Sequence, residues 1–76
     1  MDILSLKLNG TVAHFTAKMG DVTVTSQVNT GERYMFGKLF RHIEYNEHFY
    51  IGLRAAFDAI DVNILRMTLN DKLRSI

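Results

Sequence analysis

The sequence predicts an α+β fold, a three-stranded antiparallel β-meander with two to three helices packed on one face. Two Gly-containing dipeptides, Asn9-Gly10 and Gly20-Asp21, separate three alternating segments within the first 29 residues. After residue 29, apolar side chains recur mainly at helical spacing. At 76 residues the chain has the length of one domain, in which 1–29 form the meander and 30–76 the helical layer.

Composition narrows the class of protein. Hydrophobic residues make up 47% of the chain, which favours a packed core over disorder. The absence of Cys excludes disulfides and thiolate metal sites. A net charge of +1 gives no strong field for nucleic acid or membranes. The start "MDILSLKLNG" is unlike a signal peptide and no apolar run approaches the ~20 residues of a membrane span, so we expect a cytoplasmic protein.

The turns define the three strands. We expect strands at 3–8, 11–19 and 22–28, joined by a type I′ turn at Asn9-Gly10 and a type II′ turn at Gly20-Asp21. Two-residue turns also fix the register. The expected apolar pairs are Leu8–Thr11, Leu6–Ala13, Leu4–Phe15, Met19–Val22, Ala17–Val24, Phe15–Ser26 and Ala13–Val28.

The opposite face of the meander is expected to be polar. Its rows are Ile3, Thr16 and Thr25; Ser5, His14 and Gln27; Lys7, Val12 and Asn29; with Lys18 and Thr23 completing the face.

Three helical segments are expected after the meander. The first spans 32–44, capped by Thr30, with apolar residues Met35, Phe36, Leu39, Phe40 and Ile43. The second begins after Asn46 and carries Phe49, Leu53, Phe57 and Ile60. The segment 61–76 fits either a helix capped by Asp61 or a strand. A helix is favoured because the composition of this segment, rich in Leu, Arg, Met, Asn, Asp and Lys, has a low strand propensity.

The sequence predicts no catalytic, cofactor or metal site. Ser5 and His14 are expected to face each other, but their row contains no carboxylate to orient the imidazole and no oxyanion hole. Glu44 and His48 lie four residues apart, and two ligands do not make a metal site. No Gly-rich phosphate loop, zinc pattern or nucleophile elbow occurs, so no cofactor is expected.

A basic patch supports an alternative function. Arg33, Lys38 and Arg41 would lie on the exposed side of the first helix and could contact nucleic acid. The stretch "LRAAFDAIDVNILRMTL" also weakly resembles a helix-turn-helix unit, although its turn lacks the usual Gly. The second helix would offer Arg66, Asn70, Lys72 and Arg74 as readers.

The preferred function is inferred from the unprotected edge of the third strand. "VTVTSQVN" has no Pro, no charge and no bulge signal, the devices that normally protect an exposed edge. Such an edge is expected to be covered by a second copy, a partner strand or the C-terminal segment. We therefore expect a non-enzymatic binding protein, a homodimer, that occupies a surface of a larger protein. The expected contact residues on the edge and polar face are Thr23, Thr25, Gln27, His14, Thr16 and Lys18.

No motif identifies a family. The chain is similar to the small inhibitors that phages and other mobile elements encode, anti-CRISPR proteins among them. The similarity lies in its small size, its lack of cofactor motifs and its simple fold of one sheet with a few helices. The likeness is one of class, and it implies inhibition by binding.

Overall fold

The computed structural model describes residues 1–44, 47, 50, 51, 53 and 61–75. A three-stranded antiparallel sheet of order β1-β2-β3 is followed by a two-stranded hairpin and a helix. The bounds are β1 Asp2–Asn9, β2 Val12–Met19, β3 Val22–Asn29, β4 Gly31–Met35, β5 Lys38–His42 and α1 Val62–Leu73. The α+β class is confirmed. The expected two to three helices are not found, because the described part of the chain holds one helix as a defined element.

The second hairpin of the meander has the predicted register. All four expected apolar pairs, from Met19–Val22 to Ala13–Val28, are present. Gly20 has φ +58°, as a two-residue turn with Gly in the first position requires. The predicted core face is also correct in β2 and most of β3, where Ala13, Phe15, Ala17, Val24 and Val28 are buried.

The predicted register of the first hairpin is wrong. Its turn is Gly10-Thr11, so Leu8 pairs with Ala13 and Leu6 with Phe15. A bulge between Ile3 and Ser5 then places Ile3 opposite Ala17. This arrangement packs Ile3 against the core and leaves Leu4 57% exposed. The new turn leaves Leu6 and Leu8 on the predicted core face, and it is the bulge that exchanges Leu4 for Ile3 on that face.

The predicted helix over 32–44 is also wrong, because β4 and β5 form an antiparallel hairpin there. The turn is Phe36-Gly37, with φ values of 52° and 77°, the sign pattern of a type I′ turn. Thr30 therefore caps no helix. Its backbone N–H and its hydroxyl both donate to the carbonyl of Thr11, each at 2.7 Å, which extends β3 by one further pair.

The helix α1 confirms the preferred interpretation of the last segment. Asp61 Oδ1 accepts hydrogen bonds from the backbone N–H groups of Asn63 and Ile64, at 2.9 and 3.3 Å, as predicted for its N-cap. The apolar stripe of α1 joins the same core as the meander; its buried members are Val62, Leu65, Leu69 and Leu73. The helix expected over 46–60 falls mostly outside the described residues, although Glu47, Tyr50, Ile51 and Leu53 have helical backbone.

A buried side-chain amide joins α1 to the end of β5. The backbone N–H of Ile43 donates to Asn70 Oδ1 at 2.8 Å, and Asn70 Nδ2 donates to the carbonyl oxygen of Ile43 at 3.2 Å. Both residues are buried, at 1% and 5% exposure. Asn70 thus satisfies both backbone groups of a residue just beyond the last strand pair, as a neighbouring strand would.

Replacing Asn70 with Leu should lower the free energy of unfolding by about 2 to 4 kcal/mol, because two buried backbone groups would lose their partners. Urea denaturation followed by circular dichroism measures the effect. The matched control is Asn63→Leu, the same exchange at an exposed position of α1, which should change stability by less than about 0.5 kcal/mol. Equal effects of the two exchanges would show that the Asn70 amide does not hold α1 to β5.

Candidate functional site

The two edges of the meander differ. The outer strand β1 is bulged and carries Asp2 and Lys7. The other outer strand, β3, pairs with β2 along all eight of its residues without a bulge and contains no charge. Among the described residues no strand pairs with its outer side. Within the described residues the β3 edge is therefore uncovered, and β3 lacks the protection that β1 has.

Alternation along β3 identifies the groups at this edge. Residues flanking a two-residue turn form a hydrogen-bonded pair, here Met19 and Val22. The hydrogen bond from Thr30 N–H to the Thr11 carbonyl continues the same series, so the even-numbered residues of β3 direct their backbone groups toward β2. The backbone groups of every second residue starting at Thr23 therefore point outward, as expected for Thr23, Thr25 and Gln27.

The paired rows of the polar face contain fewer apolar side chains than predicted, because Ile3 lies on the core face instead. Its rows across β1, β2 and β3 are Asp2, Lys18 and Thr23; Ser5, Thr16 and Thr25; Lys7, His14 and Gln27; and Asn9, Val12 and Asn29. The expected Ser5–His14 pair does not form, because the register shift places Ser5 opposite Thr16. Thr16 and Thr25 are joined by a hydroxyl hydrogen bond of 3.1 Å.

A shallow depression of about 370 Å³ lies at one end of this face. His14 and Gln27 line it, together with Asn9, Val12, Val28 and Asn29. These are polar and apolar groups, and the polar ones can offer hydrogen bonds to a flat partner.

The tip of the β4–β5 hairpin exposes three large apolar side chains. Phe36 is 93% exposed, Tyr34 71% and Leu39 60%. Tyr34 and Leu39 are directly opposite each other, and Phe36 occupies the turn. We call these three residues the apolar tip. Sequence reasoning missed it because all three positions were assigned to a helix.

The backbone of Phe36 makes this tip unusual. Its φ of 52° is the one positive value at a non-glycine residue among those described. A left-handed conformation costs an L-residue roughly 1 to 2 kcal/mol, and turns of this type normally place Asn, Asp or Gly there. A fully exposed Phe in a disfavoured conformation makes no evident contribution to folding, which makes it a candidate functional residue.

The predicted basic patch is divided. Arg33 and Lys38 alternate onto one face of the hairpin, and Arg41 lies on the other. Arg41 forms an ion pair of 3.4 Å with Glu32, the residue opposite it. The three cations therefore do not form the single helical surface that the sequence predicted, because residues 32–44 contain no helix.

Arg33 instead meets His42 on the face of the hairpin that turns toward α1. Arg33 Nη1 lies 3.3 Å from His42 Nε2. A guanidinium can only donate, so the Nε2 atom accepts and the ring is neutral with its proton on Nδ1.

The pKa of His42 reflects these surroundings. Burial lowers the pKa of His42 below its ordinary 6.5, and the positive charge of Arg33 lowers it further. Arg66 and Arg74 of α1 also lower it, while Glu44 acts in the opposite direction. Four basic groups from β4, β5 and α1 thus lie close enough to interact.

This shift makes stability depend on pH. Between the lowered pKa of folded His42 and the ordinary value of 6.5, the unfolded chain binds more protons than the folded chain. The stability that the neutral ring contributes is therefore fully present above pH 6.5 and is lost as the pH falls through that window.

The structure also bears on the metal site and the recognition helix that the sequence suggested. The described residues contain no group of three potential metal ligands, and His48, the partner expected for Glu44, lies outside them. As a recognition helix α1 is compromised, because Asn70 is buried and bound to Ile43. Arg66 is half-buried, which leaves Lys72 and Arg74 as the exposed cations among the expected readers.

Comparisons with known proteins find no matching family model, curated protein or solved structure. In the described part of the chain, no helix has the length and apolar character needed to cross a membrane.

Replacing Phe36 with Asn should raise the free energy of unfolding by about 0.5 to 1 kcal/mol, because Asn tolerates the left-handed region that Phe disfavours. Thermal denaturation measures the change. Phe36→Val is the opposing control, since a β-branched residue fits this conformation worst and should lower stability. A destabilised Asn variant would mean that the Phe36 ring supports the fold and would remove the reason for assigning it to function.

Proposed function

We propose that this protein is a small non-enzymatic binding protein that occupies a surface of a larger protein. The observation that carries the proposal is the apolar tip, with Phe36 93% exposed in a disfavoured backbone conformation. Aromatic side chains of this kind supply much of the energy at protein interfaces, because they bury a large area with few rotatable bonds.

The charges beside the tip define the partner's chemistry. Lys38 directly follows the turn and has no carboxylate partner among the described residues, whereas Glu32 and Arg41, which share the face of Tyr34 and Leu39, pair with each other. A complementary surface is an apolar pocket for the apolar tip, with acidic side chains at its rim. Such charges guide encounter and orientation, while burial of the aromatic rings supplies the affinity.

The β3 edge supports homodimerisation. Two copies can pair antiparallel through β3 about a twofold axis and form one six-stranded sheet. Such pairing would satisfy the outward groups of Thr23, Thr25 and Gln27, and it would extend the polar face of Thr16, His14 and Lys18 across both copies. The apolar tips stay outside this contact, so each dimer would present two.

We further propose how this protein acts on its partner and in which compartment. Occupying a partner's pocket is how the small inhibitors of phages and other mobile elements act, and we propose inhibition of this type in the cytoplasm. The alternative is a nucleic-acid-binding regulator, which exposed rings beside cations also favour. Salt separates these functions, because nucleic-acid affinity falls steeply with salt and a mainly apolar protein contact changes little.

The apolar tip is tested with a partner captured from host extract, identified by mass spectrometry and then purified. Phe36→Asn should weaken binding to it by about 2 kcal/mol or more, the loss expected for a central aromatic residue, while leaving the chain folded. Affinity is measured by calorimetry at low and high salt.

The matched control is Met67→Gln, which removes a 60% exposed apolar side chain from α1 and should leave the affinity unchanged. Equal binding by the parent and the Phe36 variant would exclude the tip as the contact. A steep loss of affinity with salt, together with retention of nucleic acid, would favour the alternative function.

The β3 edge is tested with Thr25→Pro. Proline removes an outward N–H that the internal ladder does not use and adds bulk where the second strand would lie. We expect a folded monomer with a modest loss of stability, measured by circular dichroism and sedimentation velocity.

Two controls accompany this variant. Thr25→Val removes the same 3.1 Å hydroxyl bond to Thr16 but keeps the N–H, so it should remain a dimer. Val24→Pro removes an inward donor at a buried position and should unfold the sheet. If Thr25→Pro sediments as a dimer, β3 is not the dimer interface.

A further inference from the structure

A second binding site is indicated where the β4–β5 hairpin meets α1. Asn70 is fixed to Ile43 by two hydrogen bonds, and Arg66 and Arg74 lie one helical turn to either side of it. Both arginines lie close enough to act electrostatically on His42, the residue before Ile43. Arg33 reaches the same place from β4.

The cations at this junction are not all neutralised. Arg74 forms an ion pair of 3.5 Å with Asp71. Arg33 and Arg66 have no carboxylate partner among the described residues, and Arg33 donates instead to a neutral imidazole. Glu44 is the acidic group whose charge acts on His42 from the hairpin side.

An unpaired donor at the junction points to a ligand. Arg66 Nε is buried and has no hydrogen-bond partner among the described residues. Buried N–H groups normally have partners, and a guanidinium N–H is best satisfied by an anionic oxygen.

We propose that this junction binds a phosphate-type oxyanion, held by Arg33, Arg66 and the ring of His42. The oxyanion accepts from the guanidinium of Arg66, whose buried Nε–H turns outward to meet it, and from the fork of Arg33, which exchanges its neutral acceptor for a charged one. His42, released from Arg33, takes up a proton and becomes a third donor. The site is separate from the apolar tip and the β3 edge and does not depend on the proposed function.

Proton uptake gives the site a distinctive pH dependence. In the free protein, burial and the charges of Arg33, Arg66 and Arg74 oppose protonation of His42, and Glu44 alone favours it among the groups acting on the ring. A bound oxyanion reverses that balance and raises the pKa of His42. By linkage, affinity for the anion increases as the pH falls from above the pKa of the complex to below that of the free protein.

The test uses sulfate as the probe, because its charge is constant over the pH range of interest. The pKa values of His42 and His14 are measured by nuclear magnetic resonance, with and without sulfate, at constant ionic strength. We expect a saturable rise in the pKa of His42 and none for His14, which lies on the polar sheet face. Equal shifts of both rings, or a response that does not saturate, would overturn the site.

Variants identify the residues that bind. Arg66→Gln and Arg33→Gln should each weaken sulfate binding by about tenfold, the loss expected for a charge-assisted hydrogen bond. Arg33 is exposed, so its variant stays informative if Arg66→Gln fails to fold. Arg41→Gln is the matched control on the opposite face of the hairpin and should bind normally. Parent affinity in Arg33→Gln, or equal loss in Arg41→Gln, would contradict the proposal.

Competition against sulfate distinguishes the sources of the oxyanion. Adenosine monophosphate represents small phosphate esters, and a short single-stranded oligonucleotide represents a nucleic-acid backbone. If adenosine monophosphate and the oligonucleotide displace sulfate at similar phosphate concentrations, the site binds small phosphate esters. If the oligonucleotide displaces sulfate at a much lower concentration and salt weakens this displacement, the site binds nucleic acid. Failure of both to displace sulfate would overturn the proposal. The tip variant Phe36→Asn should bind sulfate normally, so this result is independent of the partner-binding test.

Discussion

The pair of hydrogen bonds between Asn70 and Ile43 determines how the two halves of this protein fit together. The meander and α1 share a core, whereas the β4–β5 hairpin is a separate sheet. At its end the backbone of Ile43 is buried and needs partners, and the amide of Asn70 supplies both. Because that amide projects from the last turn of α1, satisfying one residue of the hairpin also fixes the helix beside it and brings Arg66 and Arg74 close enough to act on the charge of His42.

The first 29 residues were predictable where local rules and burial agreed. Gly20-Asp21 admits one good turn, and the register it sets puts Phe15, Ala17 and Val24 on the core face, as observed. At the first turn Gly10 can serve as either the first or the second residue, so local chemistry permits two registers. Both registers put Leu6 and Leu8 on the core face, so the burial pattern does not choose between them, and the bulge at Ile3/Ser5 has no signal in turn propensities.

The hairpin was missed because its apolar residues imitate a helix. Met35, Phe36, Leu39 and Phe40 recur at three- and four-residue intervals, yet the exposed Phe36 and Leu39 are not core residues. A pattern that mixes exposed and core residues therefore has a misleading period. Gly37, in the middle of the predicted helix, was the signal for a turn. The same error displaced the basic patch, since strand alternation puts Arg41 on the opposite face from Arg33 and Lys38, where a helix would have grouped them.

The position of the hairpin explains why its tip cannot serve the fold. It is anchored at its base, through Thr30 to Thr11 on one side and Ile43 to Asn70 on the other. Five residues per strand carry the turn roughly 16 Å from that base, at about 3.3 Å per residue. The core ends near the base, so the ring of Phe36 has no apolar neighbours to pack against and stays in water. A hairpin anchored at its base projects its apolar end away from the domain, and the anchor between Ile43 and Asn70 also brings the basic side chains of β4, β5 and α1 together at its foot.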